Sequence, residues 1–228
     1  MVHLENVTRI YSSGTGNVCA LDGVSLELER GEFATITGPS GCGKSTLLNL
    51  LGGLDTPTSG RIEVAGIPLH EAGEAELTAY RRQTLGIVFQ FFNLLPAMTV
   101  AENIGLPLLL RGESGKVVDV RVGEMLALVR MEDRARHFPH QLSGGEMQRT
   151  AIARALAGQP SLILADEPTG NLDSKNAGMV CETFATIASR KIATLIIVTH
   201  SDVVASLAPT RIEMLDGKIL SKRPASPA

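Results

Sequence analysis

The stretch Gly38-Pro39-Ser40-Gly41-Cys42-Gly43-Lys44-Ser45 follows the pattern glycine, four residues, glycine-lysine-serine, and it constrains the fold more tightly than any other part of the chain. Such a loop binds phosphate only when a strand delivers it and a helix opens behind it. Its glycines let backbone N–H groups approach the phosphates, and the helix N-terminus adds a dipole that favours anions. Both neighbours are legible: Phe33-Ala34-Thr35-Ile36-Thr37 reads as a short buried strand, and Lys44 to Leu54 reads as a helix. At average residue usage the bare pattern arises by chance on the order of once in a hundred chains of this size. Lys44 is expected to reach the β- and γ-phosphates of a nucleoside triphosphate, and the Ser45 hydroxyl to ligate Mg²⁺. Thr46 completes this candidate site with the loop residues from Gly38 to Gly43.

Phosphoryl transfer also needs an acidic element, and Leu162-Ile163-Leu164-Ala165-Asp166-Glu167 is an apolar run ending in two carboxylates. A buried strand carries such a pair to its C-terminal end, where open α/β sheets bind ligands. Two more apolar runs end in polar residues: Leu85 to Phe89 before Gln90, and Leu195 to Thr199 before His200. Strand-like runs alternating with helical stretches predict an α/β fold with a phosphate-loop core and a mainly parallel sheet. An antiparallel N-terminal β part is expected from Val2 to about Thr37 and again around Arg61 to Gly66, with a helical insert at about 92–158. Arg211 to Leu220, with a turn at Asp216-Gly217, reads as a closing hairpin. The expected organisation is one domain over 1–222 and a disordered tail over 223–228.

Leu142-Ser143-Gly144-Gly145-Glu146 precedes a predicted helix from Gly145 to Gly158, so Ser143, Gly144 and Gly145 present backbone N–H groups at its positive end. With the phosphate loop upstream and the acidic pair downstream, the chain resembles the ATP-binding cassette ATPases. The resemblance implies that Asp166 holds the Mg²⁺ shell together with Ser45 and Gln90, and that Glu167 polarises the attacking water. It implies further that His200 contacts the γ-phosphate, that Asn171-Leu172-Asp173 is a loop through which two protomers communicate, and that Tyr11 lies against adenine. The implied active unit is a head-to-tail homodimer holding two ATP molecules, each between the phosphate loop of one chain and Ser143, Gly144 and Gly145 of its mate.

The segment Phe91 to Leu108 resembles the group of cassette ATPases that serves lipoprotein release, macrolide export and cell division. That likeness implies an ATP-hydrolysing subunit powering a separate membrane permease in lipoprotein release or the export of macrolide- or lipid-type cargo. Phe91, Phe92, Leu94 and Leu95 are then expected to line a groove that receives a cytoplasmic helix of the permease. Two alternatives remain at this point: a soluble ATPase of the iron–sulfur assembly type, and cell-division mechanotransmission without cargo.

Composition narrows the setting. The chain has 228 residues, of which 44% are hydrophobic, enough for a sizeable core. A net charge of −3 argues against a nucleic-acid surface. Cys19, Cys42 and Cys181 are odd in number and lack metal-ligand spacing, which suits a reducing cytoplasm. With Cys42 inside the phosphate loop, thiol alkylation is expected to block nucleotide binding and bound ATP to protect. Neither a signal peptide nor a run of roughly 20 apolar residues is visible. The expected location is cytoplasmic, peripheral on the inner face of the membrane through a permease.

Overall fold

The computed structural model describes residues 1–14 and 16–224. In chain order the strands and helices are β1 (Val2–Ser13), β2 (Gly16–Leu28), β3 (Phe33–Thr37), α1 (Lys44–Leu51), β4 (Ser59–Val64), β5 (Ile67–Pro68), α2 (Glu74–Gln83) and β6 (Leu85–Val88). The chain continues through α3 (Val100–Leu110), α4 (Gly115–Val129), α5 (Gly144–Ala157), β7 (Leu162–Asp166), α6 (Ser174–Ser189), β8 (Thr194–Val198), α7 (Asp202–Ala205), β9 (Thr210–Leu215) and β10 (Lys218–Pro224).

The central sheet has the order β10-β9-β3-β8-β7-β6. From β9 to β6 every pairing is parallel, and only β10 runs antiparallel to its neighbour. Its strands are apolar on both faces because both faces are covered. Phe33, Ile163, Ala165, Leu195 and Ile197 point into one cluster with residues of α3, α4, α5 and α6. Their alternates Ala34, Ile36, Leu162, Leu164, Ile196 and Val198 point into the other, beneath α1 and the antiparallel sheet β2-β1-β4-β5. Burial of each such Val, Leu or Ile is worth about 1.5–3 kcal/mol. A one-residue slip would exchange the two faces, so the register is fixed and with it the height of every strand end.

Between β6 and β7 lie α3, α4 and α5. Thr99 and Ser143 cap α3 and α5, each with a glutamate three residues on closing the capping box. Asn103 of α3 is fully buried. Its amide oxygen accepts from the Leu95 N–H, and its nitrogen donates to the carbonyls of Leu95, Met98 and Thr99, shaping the loop before the helix.

Two boundaries differ from expectation. Helix α1 stops at Leu51 rather than Leu54, because the chain turns at Gly52-Gly53 and the Leu54 N–H donates to the Asn49 carbonyl in a Schellman-type closure. At the other end β10 extends into the expected tail: Arg223 and Pro224 pair with Arg211 and Thr210, so strand pairing orders the chain there. The rest of that tail, 225–228, lies outside the described residues. Among the described residues no helix is long and apolar enough to cross a membrane.

Candidate functional site

Parallel pairing brings the C-terminal ends of β3, β6, β7 and β8 to one edge of the sheet, and each end hands the chain to a polar residue marked in the sequence. After β3 comes the phosphate loop. Gly43, at φ 102°, is held so close to β2 that an added Cβ would lie 2.4 Å from the Ala20 carbonyl oxygen. Lys44 opens α1 and is buried, its Nζ donating to the carbonyls of Gly38 and Pro39 at 2.8 Å each. Ser45 is exposed on the first turn.

Cys42 corrects one expectation. Its backbone belongs to the loop, but its side chain is only 4% exposed and sits in the apolar cluster that includes Met214, with Sγ 3.8 Å from Lys44 Nζ. The left-handed glycines on either side turn the residue inward. Cys19, on β2, is exposed. Brief treatment of the folded protein with a bulky maleimide is therefore expected to modify Cys19 and spare Cys42 until the chain unfolds, as read by peptide mass mapping. Equal labelling rates at the two thiols would contradict the burial.

After β7, Asp166 and Glu167 stand side by side. Burial raises the Asp166 carboxyl above the usual carboxylate range and the Glu167 charge adds to this, while Lys44 and His200 pull it back. Glu167 adopts a left-handed backbone, φ 43°, with its N–H donating to the Val198 carbonyl at the end of β8. Its Oε2 accepts from the His200 N–H at 3.2 Å. Its Oε1 is buried 3.3 Å from His200 Nε2, within ion-pair reach but aligned for a hydrogen bond with none of the described donors. Gln90, just past β6, lies against Gly170: a Cβ added there would sit 3.3 Å from Gln90 Nε2 and 3.6 Å from Glu167 Cβ. Glu167, His200 and Gln90 thus converge at one point on the sheet edge. The hard oxygen donors, two adjacent carboxylates that repel each other, and a buried carboxylate oxygen with no hydrogen-bond donor among the described residues suit Mg²⁺, which takes one or two carboxylates plus substrate phosphates.

The Ser143 end of α5 is a second, separate feature. The N–H and the hydroxyl of Ser143 both donate to Glu146 Oε2, and the Glu146 N–H donates back to Ser143 Oγ. Burial pushes the Glu146 carboxyl up, but the two bonds from Ser143 and the Arg134 guanidinium hold it below its ordinary value. Among the described residues the N–H groups of Gly144 and Gly145 have no acceptor, and no hydrogen bond joins 38–46 to 142–146. A Cβ on Gly145 would come within 2.3 Å of Asn176 Oδ1, so the helix start is pressed against α6. Asp173 caps α6, accepting from the Asn176 N–H at 2.9 Å and from its Nδ2 at 2.6 Å; both bonds hold its carboxyl low. Asn176, missed in the sequence, therefore ties Asp173 to Gly145 within one protomer. Its only sequence signal was its place three residues after a capping Asp.

Residues 21–170 match the family described as ABC transporter. The chain belongs to the ABC transporter family. It is an ATP-binding, ATP-hydrolysing chain of that family, using Mg²⁺. The lipoprotein-releasing system ATP-binding protein LolD of Chromohalobacter salexigens is 46% identical over 97% of this chain and 93% of that protein. LolD of Treponema pallidum is 45% identical over 96% and 97%. The ATP-binding cassette MJ0796, solved as a dimer in a post-hydrolysis state bound to ADP and Pi, is 41% identical, covers both chains fully and superposes with a TM-score of 0.90.

Two further features of this ABC ATPase bear on the sequence assignments. Tyr11 donates its hydroxyl to Asp55 Oδ2 at 2.7 Å, and the Arg9 guanidinium lies 4.6 Å over the ring, so one face is already covered. An apolar groove of about 510 Å³ opens beside β6, lined among others by Arg81, Phe89, Asn93, Leu106, Leu110 and Arg154. Phe91, Phe92, Leu94 and Leu95 do not line this groove. Phe92 and Asn93 both take positive φ, 61° and 50°, and this turn carries the Phe92 ring toward Gly144 while Phe91 is left 73% exposed.

Proposed function

We propose that this chain is the ATPase subunit of a lipoprotein-releasing type of ABC transporter, acting as a homodimer on a membrane permease. The observation that carries the dimer is the pair of N–H groups at Gly144 and Gly145 that find no acceptor among the described residues, those of the phosphate loop included. In the proposed dimer this helix start lies over the mate's phosphate loop, and two-fold symmetry repeats that contact at a second site. The lipoprotein assignment rests on the 46% and 45% identity to LolD proteins over nearly the whole chain.

In this reading Lys44 exchanges the Gly38 and Pro39 carbonyls for β- and γ-phosphate oxygens, and backbone N–H groups of the loop residues from Ser40 to Thr46 hold the remaining charge. Ser45, Asp166 and Gln90 hold Mg²⁺, which when bound neutralises charge on the β- and γ-oxygens. Glu167 accepts a proton from water as its oxygen attacks the γ-phosphorus and the bond to the bridging oxygen breaks, giving ADP and phosphate. His200 reaches the γ-phosphate from the same spot at which it contacts Glu167. Ser143, Gly144 and Gly145 of the mate close the site, and Asp173 reports on it across the interface. Tyr11 offers its uncovered face to adenine. Loss of the γ-phosphate bridge lets the two chains part, and the permease converts that motion into work at the inner face of the membrane.

The groove beside β6 is the docking site for the permease, and its arginines suit a helix that carries acidic residues beside its apolar ones. The test is a pull-down of tagged Glu167→Gln protein, trapped with ATP, from detergent-solubilised native membranes. A stoichiometric membrane protein with few transmembrane helices and a large extracytoplasmic domain is the expected catch. Recovery of soluble proteins alone would overturn the transporter reading in favour of an assembly ATPase.

A further inference from the structure

Arg154 is absent from the candidate site as read in the sequence, and its environment is unusual. It lies on α5 three turns after Ser143, lines the groove beside β6, and has no carboxylate partner among the described residues. Burial lowers the pKa of its guanidinium, and no acidic neighbour opposes that shift. Its two arms donate instead to backbone carbonyls, Nη1 to Asn93 at 2.6 Å and Nη2 to Phe92 at 3.0 Å. Those two residues have the left-handed conformation, which is costly for a side chain as large as Phe92 and persists only where surroundings enforce it. They directly follow Gln90 and Phe91.

The same segment is gripped elsewhere by neighbouring elements. Gln148 of α5, fully buried, donates to the Phe89 carbonyl at 3.4 Å. Asn171 donates to the Gln90 carbonyl at 3.2 Å. The Phe92 ring tip would lie 3.9 Å from a Cβ placed on Gly144. Of these grips, Arg154 alone also faces the groove, and it alone bonds the two strained carbonyls.

We infer that Arg154 is a positioning residue, which holds the Phe92-Asn93 turn in its left-handed form and so sets where Gln90 stands relative to Glu167. This rests on the role given above to Gln90. A fork of two parallel donors fixes both carbonyls at once, which a single ammonium on a flexible stem does not reproduce. Misplacing a reacting group by about 1 Å can cost on the order of 100-fold, so partial loosening is a rate effect rather than a binding effect.

The experiment is steady-state ATP hydrolysis by the purified full chain carrying Arg154→Lys, with Arg154→Gln as a second variant that keeps an N–H donor, and thermal melting of each to verify folding. The expected result for Arg154→Lys is a drop in kcat of about tenfold with KM for ATP within about twofold. Asn93→Gly, which adopts φ near 50° without strain, should return much of that loss when added to Arg154→Lys. On a Gln90→Ala background Arg154→Lys should lower kcat no further, because both act through one group. Parental kcat in both folded Arg154 variants, or a drop that persists in full on the Gln90→Ala background, overturns the inference. If Gln90→Ala alone leaves kcat unchanged, the role given to Gln90 fails first. If Gln90→Ala is impaired while the Arg154 variants are not, only the inference falls.

Discussion

Glu167→Gln is expected to lower kcat by at least about 100-fold, the smaller end of what a positioned general base contributes, while ATP still binds and dimers accumulate in ATP and Mg²⁺. The substitution keeps the shape of the side chain and removes its capacity to take a proton. The backbone placement should survive, since it depends on the Glu167 N–H donating to Val198 rather than on the carboxylate. Nucleotide binding should survive as well, for an electrostatic reason. The Glu167 charge is the second cause, after burial, of the raised Asp166 pKa, so neutralising it favours ionised Asp166 and the retention of Mg²⁺ beside the phosphates. The predicted variant therefore binds and closes but does not turn over. Radiolabelled phosphate release gives the rate, and size-exclusion chromatography with and without ATP gives the dimer. A variant that hydrolyses ATP within tenfold of the parent would remove Glu167 as the base.

Which parts of this architecture could be read in advance follows from where the information is local. Strands β3, β6, β7 and β8 are short apolar runs buried on both faces, and each ends within two residues of a position singled out for the site, so the positions of Gln90, Asp166, Glu167 and His200 at one sheet edge were legible. The direction of a side chain within a loop was not. Cys42 belongs to the phosphate pattern, yet its thiol faces the core because of the backbone dihedrals around it. Phe91, Phe92, Leu94 and Leu95 were expected to line a groove because the segment Phe91 to Leu108 resembles that of the lipoprotein-release, macrolide-export and cell-division group. Two consecutive left-handed residues, which composition gives no reason to expect at Phe92, turn the segment over and leave the groove to Phe89, Asn93 and residues of α3 and α5. Asn103, Asn176 and Arg154 were missed for a related cause. Arg154 bonds the Phe92 and Asn93 carbonyls, which only the tertiary fold brings close, whereas Asn103 and Asn176 bond residues within eight positions of themselves, in a loop and a helix start whose turn no apolar period reveals.

Ser143→Arg should abolish hydrolysis yet leave ATP bound at the phosphate loop of the same chain. Within one chain the two features share no hydrogen bond among the described residues, so a bulky cation at the start of α5 has no route to Lys44 except through a partner. The substitution does carry a local cost. It removes the cap and sets a positive charge at the positive helix end, together about 1–2 kcal/mol. Helix α5 buries Ala151, Ile152, Ala153, Leu156 and Ala157 against the core and should remain folded. Ser143→Ala isolates the cap: it loses the hydroxyl without adding bulk, and its effect on rate should be far smaller. The decisive experiment mixes two inactive chains. Lys44→Ala has a damaged phosphate loop and an intact Ser143 end; Ser143→Arg is the converse. In their mixed dimer one site pairs the intact loop of the Ser143→Arg chain with the intact helix end of the Lys44→Ala chain. Random pairing then restores up to about a quarter of the parental rate if the sites act independently, since the two-fold interface gives every dimer two equivalent sites. Chains that bind ATP and dimerise but recover nothing on mixing would be incompatible with two independent shared sites. Full activity in Ser143→Arg alone would mean that each chain builds its site unaided.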